Sequence, residues 1–260
     1  MAKQSSSNVE RGAEILLALG EAGVIGMSLS EIAAAIDEPK SAVHRALTGY
    51  ARYGFVEQSG RRGNYRLGPA VYALARRMPR LSDQVAMFRP ALLEIAAATG
   101  ISCYLMARSG MDAICLDFQL GLEPVQPLLN GSGQRLPVGA GQAGVCMLAR
   151  MPEDMRERTL ELNGPLYARL GVSEAVIREE MAMFLERGHV IGIRLVGGYR
   201  IWTLSFAPAP EEHRFGDTAV SLVTLDGNLD AAAQQRCIDV MHDHLPYKWR
   251  GRRGEGENAG

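Results

Sequence analysis

Residues 28–68, "SLSEIAAAIDEPKSAVHRALTGYARYGFVEQSGRRGNYRLG", constrain the fold more than any other stretch. Ser28 and Glu31 form an S-x-x-E capping box, and Leu29, Ile32, Ala33 and Ile36 then follow helical spacing for about two turns. Pro39 opens a second helix after a short break, with Val43, Ala46, Leu47 and Tyr50 as its buried stripe. Ser41, His44, Arg45, Thr48 and Arg52 repeat on another face with no acid among them, so one side packs while the other presents donors. "GFVEQSGRRGNYRLG" then reads as a β-hairpin with Arg61 and Arg62 at its tip and Arg66 in the return strand. A capped helix pair followed by a basic hairpin describes a winged helix-turn-helix whose second helix lies in a major groove.

The charge distribution fits. The net charge is -1, but residues 1–80 carry +4 and the remainder -5. Upstream, "VERGAEILLALG" predicts an amphipathic helix with Val9, Ala13, Leu16, Leu17 and Gly20 inward and Glu10, Arg11 and Glu14 outward. Length and a 47% hydrophobic composition suit two domains. With no long apolar run and no leader-like start, the chain reads as a cytoplasmic protein without a membrane partner.

"SLSEIAAAIDEPKSAVHRAL", "GFVEQSGRRGNYRLG" and the following "PAVYALAR" resemble the winged helix-turn-helix of the IclR family, bacterial transcription regulators. Lys40, Ser41 and Thr48 are then phosphate-positioning candidates, and His44 and Arg45 the side chains expected to reach base edges. Arg61, Arg62, Asn64 and Arg66 are expected wing contacts, and Ser28 is counted with the DNA-binding set.

The expected fold class is α+β, a winged helix-turn-helix joined by a linker helix to an α/β effector-binding domain that the resemblance makes GAF-like. Domain limits are set at 1–80 and 81–250, with a disordered tail over 251–260. A linker helix is read from about Ser82 through Pro90 to Gly100. Strands are read in "ISCYLMARSG", "MDAICLDFQL" and "EPVQPLL", then helices after "RLP", in "PEDMRERTLEL" and in "SEAVIREEMAMFLERG", the last with Ile177, Met181, Phe184 and Leu185 inward. Further strands follow, and a closing helix runs from Asn228 to about Leu245.

"VGAGQAG", residues 138–144, has the glycine pattern of a dinucleotide loop, but Pro137 interrupts the approach, and Glu153, Asp154, Glu157 and Glu161 fall on a charged helix rather than at a strand end. In the IclR family the equivalent turn starts a helix lining the effector pocket, which makes Gly141, Gln142 and Ala143 an anion cradle. The resemblance adds Gly192 (where carboxylate-binding members carry an acid), Ile201 (where they carry a cysteine), Ser221 and Val223. Met106, Asp117 and Trp202 complete the effector set. These departures predict a roomier, more apolar pocket for an organic acid with an apolar or aromatic body.

No catalytic residues, cofactor or metal are expected: "HDH" at 242–244 spaces its histidines two apart, which turns them to different helix faces. The expected function is a ligand-responsive regulator that binds a palindromic double-stranded operator as a dimer or tetramer. The competing reading is an adaptor that binds no DNA, or an enzyme using the loop from Gly139 to Gly144.

Overall fold

The computed structural model describes residues 7–59, 63–122, 132–209, 216–225 and 229–247. The strand expected at 123–129, the hairpin-tip Arg61 and Arg62, and the tail lie outside these. Two compact units, Met1–Ser82 and Asp83–Gly260, are described separately.

The first unit contains α1 (Asn8–Glu21), α2 (Leu29–Ala35), α3 (Lys40–Arg52), β1 (Val56–Gln58), β2 (Tyr65–Leu67) and α4 (Pro69–Ala75). Capping boxes start α1 (Ser7 with Glu10) and α2 (Ser28 with Glu31). The core gathers Ile15, Leu19, Ile32, Ala33, Ile36, Val43, Leu47 and Val56. The inward face of α1 differs from the expected one by about a quarter turn. Gly12, Ile15 and Leu19 are buried, whereas Val9 is 81% and Leu17 40% exposed. Gly12 sets this rotation, because a Cβ there would come within 2.1 Å of the Tyr50 hydroxyl. Arg11, expected outward, instead pairs with Glu38 at 3.0 Å.

Between α2 and α3, Asp37 takes a left-handed backbone conformation (φ 52°). A side chain is disfavoured there, so Asp37→Gly is expected to raise stability by about 0.5–1 kcal/mol in chemical denaturation. In the hairpin, Val56 pairs with Leu67 and Gln58 with Tyr65. Met27 adds a bridge to Tyr65, fastening the α1–α2 connection to the wing.

α5 (Pro79–Thr99) runs unbroken through Pro90 and begins before the expected Ser82. The second unit then adds β3 (Ser102–Ser109), β4 (Asp112–Gln119), β5 (Arg135–Pro137), α6 (Gln142–Arg150), α7 (Glu153–Arg169), α8 (Glu174–Arg187), β6 (His189–Val196), β7 (Tyr199–Phe206), β8 (Thr218–Leu225) and α9 (Ala231–His244). α7 continues past the expected end, through Gly164 and Pro165. The strands form one antiparallel sheet in the order β5-β4-β3-β8-β7-β6.

Strand alternation gives the sheet two apolar faces. One, with Tyr104, Met106, Cys115, Ile201 and Val223, packs with α6 and with Ile177, Met181 and Phe184 of α8. Leu185, expected inward, is 40% exposed. The other face, with Cys103, Leu105, Trp202, Leu204 and Leu222, packs with Phe88, Leu92 and Ile95 of α5 and Cys237 and Met241 of α9. All four cysteines are free and buried. Burial pushes the Cys115 thiol up to about 12 and raises Cys146 well above its ordinary value, which removes both as nucleophiles.

Candidate functional site

On α3, packing by Val43 and Leu47 leaves Ser41, His44, Arg45, Thr48 and Arg52 exposed, with Lys40 exposed at the first turn. The helix starts at Pro39 without a side-chain cap, so its first-turn N–H groups point outward beside Lys40 and Ser41. The Thr48 hydroxyl donates to the His44 carbonyl at 2.9 Å, which fixes its rotamer. No acidic side chain interrupts this face.

In the second unit, a cavity of about 420 Å³ opens between the sheet face that α6 covers and the N-terminus of that helix. Tyr104, Met106, Leu136, Ile201, Thr203, Ser221 and Val223 line it from the strands, Val172 from the segment between α7 and α8, and Ala140, Gly141, Gln142 and Ala143 from the start of α6. α6 begins at Gly141 with no side-chain cap. The glycine pattern serves packing, since a Cβ on Gly144 would lie 2.4 Å from the Gly139 backbone nitrogen. The turn is held from outside: Asn163 donates to the Val138 carbonyl at 3.4 Å, Tyr167 donates to the same carbonyl, and Arg194 Nε donates to the Ala140 carbonyl at 2.8 Å.

Arg194 also lines the cavity, and its two terminal nitrogens lie 2.7 and 2.6 Å from the two oxygens of Glu180. The side chains of this pair are only 11% and 8% exposed. Gln142 donates to the same carboxylate at 3.0 Å. The buried cation is thus already neutralised. Arg169, in the last turn of α7, is the remaining cation in the lining.

The family profile described as the IclR helix-turn-helix domain matches residues 8–60. The transcriptional repressor IclR of Escherichia coli is 25% identical over 227 residues, covering 83% of this chain and 78% of that protein. The chain belongs to the IclR family. An IclR transcriptional regulator from Alicyclobacillus acidocaldarius shares the fold, with a TM-score of 0.69 at 22% identity over 93% of this chain and 96% of its own. So does an IclR homologue from Microbacterium hydrocarbonoxydans in complex with 4-hydroxybenzoate, with a TM-score of 0.68 at 18% identity over 90% of this chain and 96% of its own. This IclR-family chain is accordingly a helix-turn-helix transcription regulator and not an enzyme.

Several residues expected at the regulator's sites are engaged elsewhere. Ser28 Oγ accepts from the Glu31 N–H at 3.3 Å and caps α2. Asn64 donates inward to the Ile25 carbonyl at 3.2 Å, and Arg66 Nε is held 2.6 Å from Glu57 across the hairpin. Of the expected effector residues, Met106, Gly141, Gln142, Ala143, Ile201, Ser221 and Val223 line the cavity, whereas Asp117, Gly192 and Trp202 do not.

Each of these three exceptions has a geometric cause. A bulge shifts the β3–β4 register, so that Met106 faces Cys115 while Leu105 faces Asp117. Asp117 therefore turns to the α5 side, 3.0 Å from Arg89. Trp202 lies between two cavity residues and, by alternation, joins the opposite face. Gly192 opens no space, since its Cβ would fall 2.0 Å from the Gln142 amide and 2.3 Å from Glu180. The roomier end expected from this glycine is filled by those two side chains.

The sequence reading missed Arg194, Glu180, Arg169, Tyr104 and Thr203. Glu180 sits on the apolar stripe of α8 with Ile177, Met181 and Phe184. An acid on such a stripe is a sequence signal for a buried partner.

Proposed function

We propose that this regulator responds to a small monoanionic organic acid with an apolar or aromatic body, bound in the 420 Å³ cavity, and thereby changes its hold on a roughly palindromic operator. The observation that carries this reading is the chemistry of the cavity wall. Apolar side chains dominate it, the Arg194 charge is cancelled by Glu180, and what remains for an anion is the uncapped start of α6 together with Arg169. Such a wall suits one carboxylate and disfavours a second. The Microbacterium homologue bound to 4-hydroxybenzoate is a protein of the same fold with a ligand of this class.

On the DNA side, dimers or tetramers set two copies of α3 in successive major grooves about 34 Å apart. His44 and Arg45 read base edges while Lys40, Ser41 and Thr48 meet phosphates. Arg61, Arg62 and the outer nitrogens of Arg66 add wing contacts. Coupling of about 1–3 kcal/mol would change operator affinity roughly 5- to 150-fold. A cytoplasmic location belongs to this role, and no described helix is long and apolar enough to cross a membrane.

The test is calorimetric titration with benzoate-type monocarboxylates, dicarboxylates of similar size and glyoxylate-sized acids. The monocarboxylates are expected to bind tightest. Ile201→Trp, which fills the cavity from β7, is expected to abolish that heat while leaving DNA binding without ligand unchanged. Tight binding of glyoxylate-sized acids and none of aromatic acids would sink the reading.

A further inference from the structure

The described helices contain five glycines, and four have reasons within the fold. Gly12 makes room for Tyr50, and Gly144 for the backbone of Gly139. Gly164 precedes Pro165, whose ring would crowd a Cβ on a helical neighbour. Gly20 is the penultimate residue of α1, where a helix frays and glycine costs little. Gly49 is different. It lies inside α3, exposed, where a Cβ would meet nothing within 4 Å and the backbone is not left-handed. Glycine in a helix interior destabilises the fold relative to alanine, and here nothing inside the described protein offsets that.

Its position supplies the reason. Gly49 comes four residues after Arg45 and three before Arg52, so the three share one face, the one turned away from Val43 and Leu47. We infer that Gly49 is a close-approach point, where the α3 backbone itself rests against double-stranded DNA between the contacts made by Arg45 and Arg52. A methyl group at this position would hold the helix off the groove and lengthen both flanking contacts. Gly49 is thus a positioning residue for DNA recognition whose cost in folding is offset only in the complex. This rests on the DNA-binding reading of α3.

The experiment uses the full-length protein and a duplex selected by the wild-type chain from a randomised library. Thermal denaturation and fluorescence anisotropy are measured for Gly49→Ala, Gly49→Leu, Gly20→Ala and Arg45→Ala. Gly49→Ala is expected to raise the melting temperature yet weaken binding about tenfold, with Gly49→Leu weaker still. Gly20→Ala, the same substitution placed on α1 instead of α3, is expected to leave affinity unchanged. If both Gly49 variants bind as tightly as wild type while Arg45→Ala is impaired, the close approach is wrong and the DNA-binding face stands. Lower stability of Gly49→Ala would also overturn it, by showing that the glycine serves the fold. If the wild type selects no duplex, or Arg45→Ala changes nothing, the DNA-binding reading fails and this inference fails with it.

Discussion

Glu180→Ala is expected to lower unfolding stability by about 3–5 kcal/mol, because it strands the Arg194 guanidinium in a site where the pair is nearly inaccessible to water. The loss spreads beyond the pair. Glu180 Oε1 also accepts from Gln142, and Arg194 holds the Ala140 carbonyl, so the start of α6 loses its support from both sides. Equilibrium denaturation followed by tryptophan fluorescence reads the effect directly, since Trp202 is buried in the second unit. Removing both charges with Glu180→Leu and Arg194→Met is expected to recover most of the loss, since the desolvation cost of the pair disappears with it. If Glu180→Ala alone is as stable as wild type, Arg194 must reach water by a route the described structure does not have.

Arg45→Ala is expected to weaken binding to a selected duplex by about 1–3 kcal/mol and to relax base preference at one position of each half-site. Arg45 is exposed near the centre of the α3 face, with Ser41, Gly49 and Arg52 around it, which is the placement the proposed reading of base edges requires. Lys40→Ala is the contrast: loss of a phosphate contact weakens all sequences alike and flattens the salt dependence by about one unit. Titrations at several salt concentrations separate these signatures. Equal behaviour of the two variants would show that Arg45 touches only phosphate.

The helix-turn-helix was legible because its signals are local. Ser28 with Glu31, Pro39 at the start of α3 and the glycine-bounded hairpin each act within a few residues. What failed depended on partners far along the chain. The rotation of α1 follows from Gly12 meeting Tyr50, and the loss of space at Gly192 from a glutamine fifty residues earlier. The turning of Asp117 comes from a bulge that no periodicity announces. Two misses were avoidable. Ile201 and Trp202 are adjacent on a strand and cannot both face one cavity. Glu180 lies on the apolar stripe of α8 and so announces a buried partner, whereas the alternation of Ile191, Ile193 and Leu195 in β6 points away from Arg194, so the sequence does not name that partner.

The placement of the cysteines turns the protein into its own reporter of opening. All four belong to the second unit, two in each of its cores: Cys115 and Cys146 on the cavity side of the sheet, Cys103 and Cys237 on the α5 and α9 side. With every thiol buried and held in its protonated form, alkylation proceeds only as fast as the structure exposes each one. Mass spectrometry of labelled peptides therefore times the breathing of each layer separately, and an occupied cavity should slow the clock at Cys115 and Cys146 more than at Cys103 and Cys237.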